Sequence, residues 1–269
     1  MTKTILITGS TDGIGLETAA MLAEAGHRVV LHGRNAQKLE NAKQAVLERS
    51  RGAHVDAVRA DLSRLDQVRT LATEVSTRCP GLDVLFNNAG VFKTPKPRTD
   101  DGQDTRFIVN TVAPYLLTQL LLPSINKAGR IINLSSAAQA TVDFDALHGK
   151  IALSDGEAYA QSKLGITMWS FHLAESLGAD GPSVIAVNPA SFLGSKMVKE
   201  AYGQQGKDLR IGADILVRAA VSEEFEGVTG KYFDNDIERF AQPHPDATVR
   251  AKNEQLVQAI KTMLSSSAK

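Results

Sequence analysis

Two residues that can move a proton together stand four apart in Tyr159-Ala160-Gln161-Ser162-Lys163, within a stretch of helical period. One turn apart, they share a helix face. A phenol titrates near pH ~10 and is a poor base at neutrality, but a neighbouring ammonium favours the phenolate and draws that value toward the working range. Y-x-x-x-K alone is a common accident, so the pair needs company. Ile131-Ile132-Asn133-Leu134-Ser135-Ser136 runs as a strand into paired serines, and a hydroxyl at a strand's carboxyl end can hold a substrate carbonyl or alkoxide. Thr8-Gly9-Ser10-Thr11-Asp12-Gly13-Ile14-Gly15 sits between an apolar run and a helical pattern. Its glycines let the backbone turn tightly and approach a diphosphate, and the helix N-terminus offers unpaired N–H groups. Finally, Val29-Val30-Leu31-His32 ends in Gly33-Arg34 with no carboxylate. An acidic residue there would bond the ribose 2′-OH of NAD, whereas an Arg accommodates the 2′-phosphate of NADP. The chemistry these residues suggest is hydride transfer with NADP(H) rather than NAD(H).

Short β-branched runs and helical periods must position these groups. Strands are expected over 4–8, 28–32, 54–59, 82–86, 130–134, 184–188 and 231–233, with helices such as 14–25, 36–49, 65–78, 105–122 and 157–177 between them. This alternation predicts an α/β fold, a single doubly wound domain over 1–269 with a parallel sheet of about seven strands covered on both faces. Ligands of such sheets bind beyond the carboxyl ends of the strands, where every residue above falls. The segments 137–156 and 190–206 lack clear period and read as substrate loops. The tail 265–269 reads as frayed.

Composition narrows the class. Apolar residues make up 43% and charged residues 22%, with 30 Lys+Arg against 30 Asp+Glu. This balance gives no reason to expect a nucleic-acid or anionic-membrane partner. The six histidines show no metal-ligand spacing, and a lone cysteine, Cys79, permits no internal disulfide. The opening apolar run is too short for a signal core or membrane span, so a cytoplasmic location is expected. Asn133-Leu134-Ser135 matches a glycosylation triplet but falls in a presumed buried strand.

Taken in order, these motifs resemble those of the short-chain dehydrogenase/reductase family from Thr4 to about Phe233, in particular its retinol dehydrogenase-like branch. Thr8 to Gly15 is similar to that family's T-G-x-x-x-G-x-G, and Asn87-Asn88-Ala89-Gly90 to its N-N-A-G. The resemblance implies a Rossmann-type fold and cofactor contacts from Gly9, Ser10, Gly13, Ile14 and Gly15. It adds Asp61-Leu62 at the adenine, Asn88, Ala89 and Gly90, Pro189 after the sixth strand, and Ser195 where Thr often meets the carboxamide. Tyr159 and Lys163 would both act on the substrate and contact the cofactor. Ser136 rather than Ser135 would be the catalytic serine, and Asn110 would support a water chain.

The family usually has Pro-Gly where this chain has Pro189-Ala190, and Ala190 suits that place only with a negative φ. The resemblance further implies a small carbonyl or alcohol substrate and a dimer or tetramer built on helices 105–122 and 157 onward. Apolar residues of the two loops, among them Val142, Phe144, Leu147, Phe192, Leu193 and Tyr202, would line a lipophilic pocket or pack the loops onto the core. The competing reading is a non-catalytic NADP(H)-sensing protein on the same fold, although such proteins typically lose the Tyr or Lys.

Overall fold

The computed structural model describes residues 1–203 and 205–266, and for residues 200–202 and 266 only the backbone. The side chain of Tyr202 and residues 267–269 therefore lie outside the described residues.

Eight strands form one sheet in the order β3-β2-β1-β4-β5-β6-β7-β8. They are β1 (Thr4–Ile7), β2 (Arg28–Gly33), β3 (Val55–Arg59), β4 (Leu82–Asn87), β5 (Ile125–Leu134), β6 (Ser183–Asn188), β7 (Lys231–Asp234) and β8 (Arg239–Ala241). The first seven pair in parallel, and β8 closes the edge antiparallel to β7. The helices are α1 (Gly13–Glu24), α2 (Ala36–Arg49), α3 (Leu65–Arg78), α4 (Thr105–Phe107), α5 (Ala113–Leu121), α6 (Phe144–Leu147), α7 (Asp155–Leu177), α8 (Lys196–Tyr202), α9 (Leu209–Val221) and α10 (Arg250–Ser266).

Strands buried on both faces need cover on both, which accounts for two apolar layers. Residues of α1, α2 and α9 meet Ile5, Val29, Val84 and Ile185 on one face. Residues of α3, α5, α7 and α10 meet Leu6, Leu85, Ile131 and Val184 on the other. The strand order reverses between β1 and β4, and the crevice beyond their carboxyl ends is the place such sheets reserve for a ligand.

Four features depart from the expected elements. β5 begins at Ile125, five residues early, because polar Asn126-Lys127 and Gly129 hide the apolar pattern; the register shifts between Leu82 and Val84. A Cβ on Gly129 would come within 2.7 Å of the Asn126 and Asp83 carbonyl oxygens, so this irregularity needs glycine. β8 is a three-residue, largely exposed edge strand that pattern reading cannot see. The helix expected over 105–122 is interrupted by a π-helical turn, Ile108–Val112. The presumed loops contain short helices, α6 capped by Asp143 and α8 capped by Ser195.

The stretch Thr105–Ser124 is long and apolar enough to cross a membrane, with mean hydropathy 1.3, but 72% of its most apolar window is buried inside the fold. α10 lies along α7 and buries Leu256, Val257, Ile260 and Met263 with Trp169 and Leu173. It thus covers in cis part of a helix expected to carry subunit contacts.

Candidate active site

The glycine turn is built where β1 hands over to α1. Gly9 and Gly13 have φ of 65° and 57°, which a glycine adopts without strain. A Cβ on Gly15 would sit 2.4 Å from Asn88 Nδ2 and 2.6 Å from the Gly9 carbonyl oxygen. Asn88 Nδ2 donates to the carbonyls of Thr8 (2.7 Å) and Gly9 (3.0 Å), and the Thr8 hydroxyl accepts from the Asn88 and Ala89 N–H groups. Asn88 and Ala89 thus clamp the turn from the β4 side. From the β2 side, Gly33 must lack a Cβ, which would meet Thr11 Cγ2 at 2.3 Å.

His32 completes this brace. Its Nδ1 accepts from Gly9 N–H (3.0 Å) and its Nε2 lies 3.1 Å from the Ala60 carbonyl. Accepting at one nitrogen and donating at the other fixes a neutral tautomer. Burial pulls the His32 pKa down to about 4, against smaller raising effects from the Ala60 hydrogen bond and Asp61. Ser10 is committed within the same turn: its hydroxyl donates to the Ile7 carbonyl and accepts from His32 N–H, and its own N–H donates to His32 O. Gly13 is more open, its hypothetical Cβ meeting only Ser195 Cβ at 3.8 Å.

α1 differs from α2 and α7 at its start. Asn35 caps α2 and Ser154 caps α7 with side-chain oxygens, whereas no side chain caps α1 and its first turn holds no acidic residue. Its leading N–H groups are thus left for an anion. Arg34 is exposed at the end of β2. At the end of β3, Asp61 accepts from the N–H and hydroxyl of Ser63, while Leu62 is buried in the core, leaving only its backbone to face a ligand.

Tyr159 and Lys163 lie on α7, which brings Lys163 to the carboxyl ends of β4 and β5. Lys163 is buried, and its Nζ donates to the Leu134 carbonyl at 2.7 Å. Desolvation lowers its pKa to about 8. The ammonium lies 5.7 Å from the centre of the Tyr159 ring, and the Phe92 ring packs against that phenol at 4.9 Å. Asn110, inside the π-helical turn, accepts from Val91 N–H (2.8 Å) and donates to the Val91 carbonyl (3.0 Å) and to Ser162 Oγ (2.9 Å). A Cβ on Gly90 would lie 3.5 Å from both Asn110 Oδ1 and Lys163 Nζ, so the bare backbone at Gly90 borders both.

The two serines separate cleanly. Ser135 is buried, with its hydroxyl 2.7 Å from Thr167 Oγ1. Ser136 is half-buried, its Oγ accepting from Ala138 N–H at 3.1 Å. Its carbonyl accepts from Tyr232 OH and Gln139 Nε2. The start of α7 is anchored by Arg106, which forks onto Asp104 (2.8 and 2.6 Å) and pairs with Asp155.

A sheet of this order with these groups at its strand ends invites comparison with known proteins, and residues 3–206 match the family model of short chain dehydrogenases. The chain belongs to that family. It is 34% identical over 264 residues to retinol dehydrogenase 13 of Mus musculus, covering 91% of this chain and 78% of the relative. It is 32% identical over 256 residues to polyprenol dehydrogenase of Homo sapiens, covering 88% and 78%. A putative short chain dehydrogenase from Escherichia coli, solved in complex with NADPH, superposes with TM-score 0.69 at 27% identity over 87% of this chain and 96% of that one. The short-chain dehydrogenase is thus an oxidoreductase by family, with relatives of retinol dehydrogenase type.

The fold brings together Tyr159, Lys163, Asn110, Gly90 and the strand end at Ser136. Pro189 and Ser195 lie on the loop beside the glycine turn: a Cβ on Gly212 would meet Ile14 Cγ2 at 3.1 Å and the Pro189 carbonyl at 3.3 Å. Ala190 is a correction. Its φ is 115°, not the negative value that would let alanine replace glycine without strain. Of the loop residues considered for a lipophilic pocket, Val142, Leu147 and Leu193 are buried, whereas Phe192 stays 49% exposed. Sequence reasoning passed over Phe92 and His32, and gave Thr8 only as the first residue of the glycine motif. His32 could have been noticed as the one polar residue inside an otherwise apolar strand. Among the described residues no three His, Cys, Asp or Glu side chains converge as metal ligands.

Proposed function

We propose that this short-chain dehydrogenase transfers hydride between NADP(H) and a carbonyl or alcohol substrate, with Tyr159 as general acid in reduction and general base in oxidation. The observation that carries the reading is the buried Lys163 ammonium held beside the Tyr159 ring where the strand ends converge.

The residues fit the cofactor. The uncapped start of α1 suits a diphosphate, and Arg34 suits a 2′-phosphate. Asp61 and the backbone of Leu62 would take the adenine, with Asn88-Ala89-Gly90 walling the cleft. Lys163 and Tyr159 would hold the nicotinamide ribose, and Pro189 and Ser195 the carboxamide end. When bound, the nicotinamide supplies or accepts the hydride.

The protein's own groups do the rest. Ser136 donates a hydrogen bond to the substrate oxygen and stabilises its developing charge. Tyr159 OH gives its proton to that oxygen in reduction. Lys163 favours the phenolate left behind, because an ammonium beside a phenol stabilises its ionised form. Asn110, fixed by Val91 and Ser162, supports the water path that returns the proton to solvent. The side chain of Phe92 excludes water from one side of the phenol.

A lipophilic substrate is supported by Phe92 on the Tyr159 ring, by exposed Phe192 on the neighbouring loop, and by relatives named for retinol and polyprenol. A reducing compartment such as the cytoplasm suits the single, buried Cys79. The test is NADPH oxidation with a panel of lipophilic aldehydes and ketones. Tyr159→Phe should lower turnover about 10²–10⁴-fold, the usual contribution of a positioned acid or base; near-normal turnover on a verified substrate would refute the assignment.

A further inference from the structure

The turn after β6 holds two non-glycine residues in the left-handed half of backbone space, Ala190 at φ 115° and Phe192 at φ 57°. Such conformations are strained for residues with a side chain and persist only where the surroundings over-determine them. The restraint comes from the turn that follows β7. Asp236 Oδ1 accepts from Ser191 N–H at 2.8 Å, and Oδ2 accepts from the Ser191 hydroxyl at 2.5 Å and from Asn188 Nδ2 at 2.9 Å. Asn188 Nδ2 also donates to Asp234 at 2.8 Å. Asn235, buried, donates from Nδ2 to the Pro189 carbonyl at 3.0 Å and to the Ile211 carbonyl at 3.2 Å. The backbone is therefore gripped at 188, 189 and 191, on both sides of Ala190.

We propose that Asp236 is a positioning residue for the cofactor: its carboxylate holds the strained Pro189-Ala190-Ser191 turn in the shape that seats the nicotinamide end. This deepens the NADP(H) reading above and rests on it. The charge is secure. Burial raises the carboxyl pKa, but hydrogen bonds from Ser191 and Asn188 and the Lys207 ammonium outweigh it, and Asp236 titrates below its ordinary range. Lys207 Nζ stands 3.9 Å away and is the charged group facing it from the neighbouring loop. A glycine at 190 would adopt the same φ without strain. Alanine makes the turn depend on its clamp.

Three chains decide the matter: Asp236→Ala, Ala190→Gly and the double variant, each checked for a cooperative thermal transition above the assay temperature and titrated with NADPH by fluorescence. Asp236→Ala should weaken NADPH roughly tenfold or more, the fold-change that releasing one strained residue corresponds to. Turnover at saturating cofactor should change less. Adding Ala190→Gly should recover most of the lost affinity, because the glycine turn no longer needs holding. NADPH binding unaltered by Asp236→Ala, or a loss of equal size in both backgrounds, overturns the proposal. Amide exchange at Ser191 without cofactor reads the clamp directly. It should quicken in Asp236→Ala, and unchanged exchange overturns the clamp. Wild type that binds neither NADPH nor NADH overturns the functional reading and the cofactor role with it, while Ser191 exchange still reports on the turn.

Discussion

Replacing Lys163 with Met should change how stability depends on pH, and the size of the change follows from burial. Lys163 is 4% exposed, with the Leu134 carbonyl as its hydrogen-bond partner, and desolvation sets its pKa at about 8. In the unfolded chain the same ammonium titrates near 10.5. Between these values the unfolded chain binds more protons, so stability rises with pH. A depressed pKa contributes stability above the unfolded value and loses it as pH falls through the folded one, so neutral pH is where the buried charge costs most. From pH 7.5 to 9.5 this single group should add ~2 kcal/mol. Urea unfolding of wild type and Lys163→Met without cofactor, at pH 7.5, 8.5 and 9.5, reads Lys163 together with the Tyr159 phenol it acts on, because the titrations of distant groups are shared. Wild type should gain ~2 kcal/mol more than the variant over that range. Parallel pH profiles would mean that Lys163 is not held in a low-dielectric site, and the electrostatic account of Tyr159 would lose its basis.

Other outcomes are equally specific. Ser136→Ala should cost about 10²–10³ in turnover, as loss of an oxyanion donor does, whereas Ser135→Ala should lower the urea midpoint and spare turnover; the reverse pattern would reassign the catalytic serine. Arg106→Ala leaves Asp104 unpaired in a buried site and should cost about 3–5 kcal/mol in urea unfolding; a loss below ~1 kcal/mol would show that this anchor of α7 is dispensable. His32 has a depressed pKa, so its contribution is present above pH 6.5 and lost as pH falls through about 4. Acidification across that window should weaken both stability and NADPH binding in wild type and less so in His32→Ala. Identical acid profiles would remove His32 from the brace.

The sheet was legible because seven strands are short, apolar and separated by helices of clear period, and α2 and α3 match their expected bounds residue for residue. The misses have physical causes. β5 starts in polar residues around Gly129, and β8 is an exposed edge, so neither beginning carries an apolar pattern. The π-helical turn around Asn110 preserves helical composition while changing only hydrogen-bond register. At the site, motif spacing singled out Tyr159, Lys163 and the glycine turn, and the family resemblance singled out Asn110. Side-chain commitments were invisible in sequence. Ser10 turns inward onto Ile7 and His32, Asn88 spends its amide on Thr8 and Gly9, and Asp236 clasps a loop 45 residues earlier at Ser191. Long-range hydrogen bonds of this kind leave no local pattern. The positive φ at Ala190 reverses what its residue type suggests, because tertiary contacts there outweigh the local steric preference.

The most direct test of the central claim is a side-by-side titration with NADPH and NADH of wild type and Arg34→Asp. The account predicts preferential NADPH binding in wild type. The preference should fall roughly 10–100-fold in the variant, as losing a charge-assisted hydrogen bond of ~1.5–3 kcal/mol implies. Equal or preferential NADH binding, untouched by the substitution, would contradict it.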